Sequence, residues 1–195
     1  RPKLVYAPHC YLRFVDIGGD YKPKHVKEMP HWFAQRDKEF KIQQCPLMIG
    51  EFGLSPAKKD FDAYLHDLHR LADERHASWA YWSNDHGSWS PLRADGSPSP
   101  ILPELTRVFP AATAGKLISY SYDPQTKRFD MEFVSDTTIN APTVISIAGN
   151  IYPSGYNLNI SGTSKWESSV DETTNALVLK ISENGAQVKV QITPK

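Results

Sequence analysis

The hydrophobic pattern of the chain differs between its two halves. In the first half, short apolar runs alternate with stretches of helical periodicity. The clearest helix is predicted at residues 60–76, where apolar side chains recur every three or four positions and share one face. Those side chains are Phe61, Tyr64, Leu65, Leu68, Leu71 and Ala72. A second helical pattern covers residues 25–40, with Pro30 interrupting it, and a short helix is predicted at residues 102–109.

Three apolar runs in this half predict β-strands. They are residues 3–9, 46–52 and 77–84. Strands that alternate with helices are typically parallel and joined by right-handed crossovers. Three such units are too few for a complete doubly wound sheet or a closed eight-stranded barrel, but they correspond to three-eighths of a barrel.

The second half follows the two-residue period of antiparallel strands. Val188, Val190 and Ile192, for example, alternate with Lys189 and Gln191. Turn signals such as Asn-Gly and Asp-Pro separate the runs. Six strands are predicted, at residues 117–122, 128–134, 143–148, 156–161, 176–182 and 187–193. A set of short alternating strands of this kind predicts a β-sandwich.

A change of composition marks the boundary between the halves. All seven histidines and both cysteines lie in the first half, whereas the second is rich in Thr, Ser, Asn and β-branched residues. The junction, residues 107–116, contains Pro110 and Gly115, which are typical of a linker. We therefore predict an α/β domain at residues 1–110 and an all-β sandwich at residues 111–195.

The charge balance argues against some classes of binding partner, and the cysteine positions argue against a disulfide bond. The chain has 195 residues with 22 basic and 22 acidic side chains, so no net charge attracts nucleic acid or an anionic membrane. The sequence starts without a Met or a signal peptide and almost directly with a strand, as expected of a segment of a longer chain. Cys10 and Cys45 fall at opposite ends of parallel strands, beyond bridging distance, so two free thiols, or thiols with partners outside the chain, are expected.

Polar and aromatic side chains gather where the three predicted strands end. Active sites of parallel barrels form at these carboxyl ends. The side chains are His9 and Tyr11 on the first, Glu51 on the second, and Trp82, Asn84 and Asp85 on the third. Because side chains alternate along a strand, His9 and Tyr11 share a face, and so do Ile49 and Glu51. If those faces point into the barrel, these side chains converge at one rim, which is formed by the carboxyl ends of the strands.

This set of side chains suits sugar chemistry. Retaining glycosidases need a carboxylate nucleophile, for which Glu51 is the candidate, and its flanking Gly50 and Gly53 leave room for a sugar ring. A phenol such as Tyr11 can hold the carboxylate ionised, and Trp82 can stack on a pyranose. Each residue alone also fits a structural role, since a strand can end in a polar turn and indoles commonly pack in cores.

No metal or cofactor is predicted. His66, His69 and His76 lie on the amphipathic helix, where His66 points away from the apolar face and the other two flank it. They lack the spacing of zinc ligands, so a solvated face is favoured.

The segments "YAPHCY", "LMIGEFG" and "AYWSND" resemble the sixth, seventh and eighth strands of glycoside hydrolase family 5, which includes cellulases. The resemblance implies that Glu51 is the nucleophile, that Tyr11 contacts it and that His9 lines the site. It also implies that Trp82 forms the floor of the subsite for the cleaved sugar. Asn84 and Asp85 are candidates to bind sugar hydroxyls.

The second half of the chain resembles one branch of this family. "FPAATAGKLISYSYDPQTKRFDMEF" and "IYPSGYNLNISG" resemble the C-terminal β-sandwich of endoglycoceramidases and related glycosylceramidases. The implied substrate is the bond between sugar and ceramide in glycosphingolipids, in a secreted or lysosome-like setting and in contact with a micelle or membrane periphery. Two alternatives remain: a cellulase-like hydrolase of soluble β-glucan, and a non-catalytic fragment that binds carbohydrate or lipid.

One part of the family pattern is missing from this chain. The family carries its acid/base as a Glu in an Asn-Glu-Pro segment after the fourth strand, and that segment does not occur here. Asp85, Asp16 and Asp20 are the nearest other carboxyls, and they fit solvated loops better. We therefore expect the N-terminal half of the same enzyme as a companion, because three parallel strands leave open edges.

An amphiphilic substrate would also need an apolar groove near the rim. Residues 31–33 (His-Trp-Phe) and Trp89 are candidates for it. The alternative is that they pack under a crossover helix.

Overall fold

The fold alternates helices with strands in its first part and consists of strands in its second. A computed structural model describes residues 4–85, 87–148 and 150–195. The chain divides into two units, Arg1–Leu105 and Thr106–Lys195. The elements of the first unit are α1 (Arg13–Asp16), α2 (His25–Gln43), β1 (Met48–Phe52), α3 (Phe61–Asp73), β2 (Ser78–Tyr81) and α4 (Ile101–Leu105).

Three extended segments lie side by side and parallel in the first unit, as the sequence predicts. β1 is in the middle, with β2 on one side and the first β segment, residues 6–10, on the other. The bridges to that segment are Tyr6–Leu47 and His9–Glu51. Its pairing is irregular because Pro8 has no N–H to donate. Lys3, where the predicted strand begins, lies outside the described residues.

Helix α3 covers these strands with the apolar face that its sequence predicts. Tyr64, Leu65 and Leu68 are fully buried in the core of the unit. The prediction of a solvated histidine face is wrong for His69, which is buried and packs edge-on against Phe52, 5.8 Å between ring centroids. The reason is that the buried face of α3 is wide enough to include the positions flanking the apolar stripe.

Helix α2 runs through Pro30, so the predicted interruption at this residue is wrong. Pro30 cannot donate the backbone hydrogen bond to the preceding turn. Met29 and Phe33 are nevertheless fully buried on the same helix, and this packing keeps the helix continuous through the proline. The helix ends at Gln43, and the next residue, Gln44, has a left-handed backbone and donates its N–H to the carbonyl of Phe40.

The second unit is a β-sandwich of two four-stranded antiparallel sheets, with strand orders β4-β5-β10-β7 and β3-β6-β9-β8. Alternate residues point inward, and Phe129, Phe133, Leu179, Val190 and Ile192 are among those buried between the sheets. The strands are β3 (Val108–Ala112), β4 (Gly115–Asp123), β5 (Arg128–Ser135), β6 (Thr143–Ile147), β7 (Tyr156–Ser161), β8 (Trp166–Asp171), β9 (Ala176–Ile181) and β10 (Gln187–Pro194).

Two strands of the second unit, β3 and β8, were not predicted from the sequence. Residues 108–109 were expected in a helix but begin β3, where Val108 is fully buried in the sandwich core. Pro110 is compatible with this strand because β3 lies at a sheet edge, where a missing N–H is tolerated. Strand β8 has no predicted counterpart, because its side chains are mostly exposed and carry no alternation.

The two cysteines are free thiols, as predicted, and both are buried. Burial raises the pKa of the Cys10 thiol to about 12, with the Arg36 charge acting in the opposite direction. Within the described residues, no helix has the length and hydrophobicity needed to cross a membrane.

Candidate active site

Glu51 lies at the carboxyl end of the central strand, β1, directly opposite His9 on the first β segment. Two backbone bonds hold the neighbouring segments at this level. The Cys10 N–H donates to the Glu51 carbonyl at 2.7 Å, and the Trp82 N–H donates to the Phe52 carbonyl at 2.8 Å. The three strand ends named in the sequence analysis therefore meet at one rim.

Tyr11 and His9 both contact the Glu51 carboxylate. The Tyr11 hydroxyl donates to Oε2 at 3.4 Å, and His9 Nδ1 lies 3.2 Å from the same oxygen. Burial raises the pKa of the Tyr11 phenol to about 12, helped by the charge of Glu51, the hydrogen bond to it and the charge of Asp16. The phenol therefore stays protonated and remains a donor to the carboxylate.

Gly50 lets the first β segment approach β1 closely enough for these contacts. A Cβ at this position would lie 2.8 Å from the Ala7 carbonyl oxygen and 3.1 Å from Cδ2 of the His9 ring. Any larger residue would push the imidazole and the backbone of its segment away from Glu51.

Gly53 has the same role on the other side of Glu51. A Cβ there would lie 2.6 Å from the Trp82 carbonyl oxygen and 3.0 Å from the Trp89 ring. Trp82 directly follows β2, and its side chain is 50% exposed. The Trp82–Ser83 peptide bond is cis. Gly53 thus allows the backbone of Trp82 to approach the strand that carries Glu51.

Asn84 and Asp85 lie on the loop that follows β2, and both are exposed. Asn84 accepts a hydrogen bond from Ser90 Oγ at 3.4 Å, and Asp85 accepts one from the Gly87 N–H at 2.8 Å. These contacts shape the loop, and a role of the two residues toward sugar stays a prediction. Of the other two acids considered, Asp16 is the last residue of α1 rather than a loop residue, and Asp20 accepts from the Lys59 N–H at 3.2 Å.

The residues considered for an apolar groove have different environments. Phe33 is fully buried, so it packs under its helix. His31 and Trp32 line an open groove of about 540 Å³, bordered also by Leu12 and Arg36. The Arg36 guanidinium lies over the Trp32 ring at 4.9 Å. Trp89 is partly buried against the core beside Gly53.

The contact between Tyr11 and Glu51 leads to a first prediction. If Glu51 is the nucleophile that the sequence resemblance implies, the Tyr11→Phe variant should form a glycosyl-enzyme about tenfold more slowly than the wild type, because a hydrogen bond to a charged group is lost. The rate of covalent labelling of Glu51 by an activated fluorosugar measures this step. Tyr6→Phe is the control, because Tyr6 bonds a carboxylate, that of Glu39, at the other end of the same segment. Equal rates in the two variants would contradict a role for Tyr11.

Family profiles match both units of the chain. Residues 1–88 match the cellulase family, glycosyl hydrolase family 5. Residues 107–192 match the glycoside hydrolase family 5 C-terminal domain. The chain belongs to glycoside hydrolase family 5. Its fold class, the C-terminal part of a (β/α)8 barrel followed by a β-sandwich, is the one predicted from the sequence.

Solved structures agree with the family 5 assignment. Endo-glycoceramidase II from Rhodococcus sp. in complex with ganglioside GM3 superimposes with a TM-score of 0.86 at 25% identity, covering 100% of this chain. The same enzyme in a five-membered iminocyclitol complex gives 0.85 at 25% identity. Sterylglucosidase 1 from Cryptococcus neoformans, with Tris, shares the fold, with a TM-score of 0.71, 13% identity and coverage of 98% of this chain.

The family 5 chain spans less than half the length of the endo-glycoceramidase structures. It covers 43% of the enzyme in the GM3 complex and 44% in the iminocyclitol complex, and 37% of the sterylglucosidase. No curated protein shows significant sequence similarity to it.

Proposed function

We propose that this chain supplies the nucleophile half of a retaining glycosidase that cleaves the β-glycosidic bond between sugar and ceramide. The observation that carries the proposal is the contact of Tyr11 and His9 with one oxygen of the Glu51 carboxylate, at the carboxyl end of the central strand. The similarity to endo-glycoceramidase II, including its ganglioside GM3 complex, supports the substrate class.

In this proposal the two oxygens of Glu51 have separate tasks. Oε2 accepts the hydrogen bond of Tyr11 and lies 3.2 Å from His9 Nδ1, and these two contacts orient the carboxylate. Oε1, to which neither bonds, attacks the anomeric carbon and forms an ester with it as the bond from that carbon to the leaving oxygen breaks. A carboxyl on a preceding barrel segment protonates the leaving oxygen and then activates water, which releases the sugar and restores Glu51.

Trp82 provides the surface on which the sugar ring packs. Its indole is half exposed, and its backbone N–H donates to the Phe52 carbonyl, which holds the residue beside the strand of Glu51. The loop residues Asn84 and Asp85 bind sugar hydroxyls in this proposal. Contact with a micelle or membrane surface, and a secreted or lysosome-like setting, follow from a glycosphingolipid substrate.

Trp82→Ala should lower kcat/KM by roughly three- to tenfold. This is the effect expected when the packing of an aromatic ring against the apolar face of the sugar is lost. Steady-state hydrolysis of an activated β-glycoside measures the change. Trp166→Ala is the matched control, because Trp166 is another partly exposed indole, on strand β8. The role of Trp82 is refuted if both variants retain wild-type kinetics.

Labelling by a 2-fluoro glycoside with a good leaving group tests the reaction class. We expect the intact protein that carries this chain to gain one sugar on the peptide containing Glu51, as detected by mass spectrometry. Binding of the sugar without labelling would instead indicate a non-catalytic carbohydrate-binding protein.

The match of residues 1–88 to the cellulase family favours hydrolysis of soluble β-glucan as the second candidate. Comparing kcat/KM for ganglioside in detergent micelles with that for cello-oligosaccharides separates the two. A preference for the ganglioside supports the proposed substrate, and a preference for cello-oligosaccharides supports the second candidate.

A further inference from the structure

The second unit contains one acceptor pattern for an N-linked glycan. Asn159-Ile160-Ser161 is the only segment of the sequence in which an Asn is followed two positions later by Ser or Thr, with a residue other than Pro between them. The pattern lies inside strand β7, and a segment held within a sheet is a poor substrate for a modifying enzyme. The position of β7 in the sandwich therefore decides whether the acceptor can be used.

Asn159 and Ser161 lie on the solvent side of β7. Side chains alternate along a strand, so these two share a face, and both are exposed. Leu158 and Ile160 lie on the opposite face and pack against the sandwich core. Within the described residues, the Asn159 amide makes no hydrogen bond. The folded sandwich thus leaves this amide available to carry a substituent.

The surface around Asn159 has room for a sugar. Asn159 and Ser161 line an open hollow of about 410 Å³ on the outer face of the sheet, together with Lys189 and Gln191. Gln191 is the ladder partner of Asn159, and its side-chain amide donates to Asp130 Oδ1 at 3.0 Å. A first sugar on Asn159 would therefore meet polar side chains that can hydrogen-bond its hydroxyls, and it would displace no buried apolar residue.

Strand β7 also stays unpaired while the chain is being made. It is an edge strand, and in the part of the chain that the structure describes its one hydrogen-bonded neighbour is β10. β10 is the last strand, and β8 and β9 come between the two in the sequence. Because a chain is synthesised from its N-terminus, residues 156–161 emerge before the strand that pairs with them. The acceptor segment is then accessible to the transferring enzyme.

We propose that Asn159 is the acceptor of an N-linked glycan in the lumen of the secretory pathway. The donor is a lipid-linked oligosaccharide pyrophosphate. The Asn159 amide nitrogen bonds to the anomeric carbon of the first sugar as the bond from that carbon to the phosphate oxygen breaks. The nitrogen loses one proton, and the lipid pyrophosphate leaves with the electron pair. This inference rests on the proposed function only for the secreted or lysosome-like setting.

Expression of the intact protein behind a cleavable signal peptide in eukaryotic cells tests the acceptor. Peptide N-glycosidase in heavy-oxygen water converts a glycosylated Asn to Asp that contains one heavy oxygen atom, which mass spectrometry detects at residue 159. We expect most of the protein, taken from cells and medium together, to carry the glycan. If most of it is unmodified at Asn159, the inference is overturned, whether or not the protein is secreted.

Variants of the pattern provide the controls. Ser161→Ala should abolish the glycan although Asn159 is kept, because the hydroxyl is part of the acceptor pattern, and Ser161→Thr should retain it. Asn157→Gln is the matched control for Asn159→Gln, because Asn157 is exposed on the same face of β7 and its amide donates to the Pro194 carbonyl at 3.1 Å. Of these two variants, only Asn159→Gln should lose the glycan. Modification that persists at Asn159 in Ser161→Ala would contradict the assignment.

Thermal unfolding shows whether the folded sheet accommodates the glycan. The glycosylated protein should unfold no more than about 2 °C below Ser161→Ala, because the substituent lies on the solvent side. A larger loss would overturn the inference. Fluorosugar labelling of the same samples tests the proposed function separately. A glycan at Asn159 without labelling of Glu51 would refute the glycosidase and support the glycan site, and labelling without the glycan would do the reverse.

Discussion

Glu51→Gln is expected to lower kcat for β-glycoside hydrolysis by at least about 10⁴-fold, as for the loss of other enzymic nucleophiles. The amide has the same size and still accepts a hydrogen bond from Tyr11, but it cannot form the ester with the anomeric carbon. Substrate binding should persist, since the change leaves the shape of the site intact. Steady-state kinetics and the absence of fluorosugar labelling measure the loss.

Glu74→Gln controls for the exchange of a carboxylate for an amide on the same chain. Glu74 is exposed and pairs with Arg70 at 2.6 Å, an interaction of the kind that contributes little to stability. This variant should keep kcat within about twofold of the wild type. If Glu51→Gln behaved like Glu74→Gln, Glu51 could not be the nucleophile.

Azide distinguishes a nucleophile from an acid/base. In Glu51→Gly, azide can enter the space of the lost carboxylate and attack the anomeric carbon from that face, which yields an α-glycosyl azide from a β-glycoside. Loss of an acid/base would give the β-product instead, because the glycosyl-enzyme would still form first. Recovery of the α-azide is therefore expected, and recovery of the β-azide would reverse the assignment.

Much of the site was predictable because it depends on rules of strand geometry. Alternation along a strand places His9 and Tyr11 on one face, and parallel pairing brings strand ends to one edge. The contacts of both residues with Glu51 follow from these two rules. The helix α3 and most sandwich strands were equally predictable, since their apolar positions recur with the expected period.

The parts that the sequence does not reveal depend on tertiary context. Strand β8 forms because β9 offers an edge to pair with, and no hydrophobic pattern accompanies it. His69 is buried because the covered face of α3 is wider than its apolar stripe. In the sequence, Tyr64 looks like any apolar position of that helix. Its hydroxyl donates to the Cys10 carbonyl at 3.3 Å, and this contact depends on where α3 packs against the first β segment.

Gly53→Ala is expected to lower kcat/KM on the order of 100-fold, because a displacement near 1 Å at a reacting site has about this effect. The added Cβ would lie 2.6 Å from the Trp82 carbonyl oxygen, which is backbone and has no alternative rotamer. The same Cβ would lie 3.0 Å from the Trp89 ring, so the strand cannot relieve the overlap by moving toward that side. The end of β1 and the Trp82 segment must therefore move apart. This moves Trp82, on which the sugar ring is proposed to pack, away from Glu51. Hydrolysis kinetics and fluorosugar labelling both report this separation.

Gly19→Ala separates this effect from general destabilisation. The Cβ at Gly19 also meets a backbone oxygen, that of Phe14, but at 3.1 Å, and it lies on the loop after α1. A shift of a few tenths of an ångström accommodates it, so activity should stay within about threefold of the wild type while some stability is lost. Thermal unfolding of both variants shows how much of the activity loss is due to a lower stability of the folded protein. If Gly53→Ala remained as active as Gly19→Ala, close approach of Trp82 to β1 would be unnecessary for catalysis. Gly53 would then be required only for the packing of Trp89.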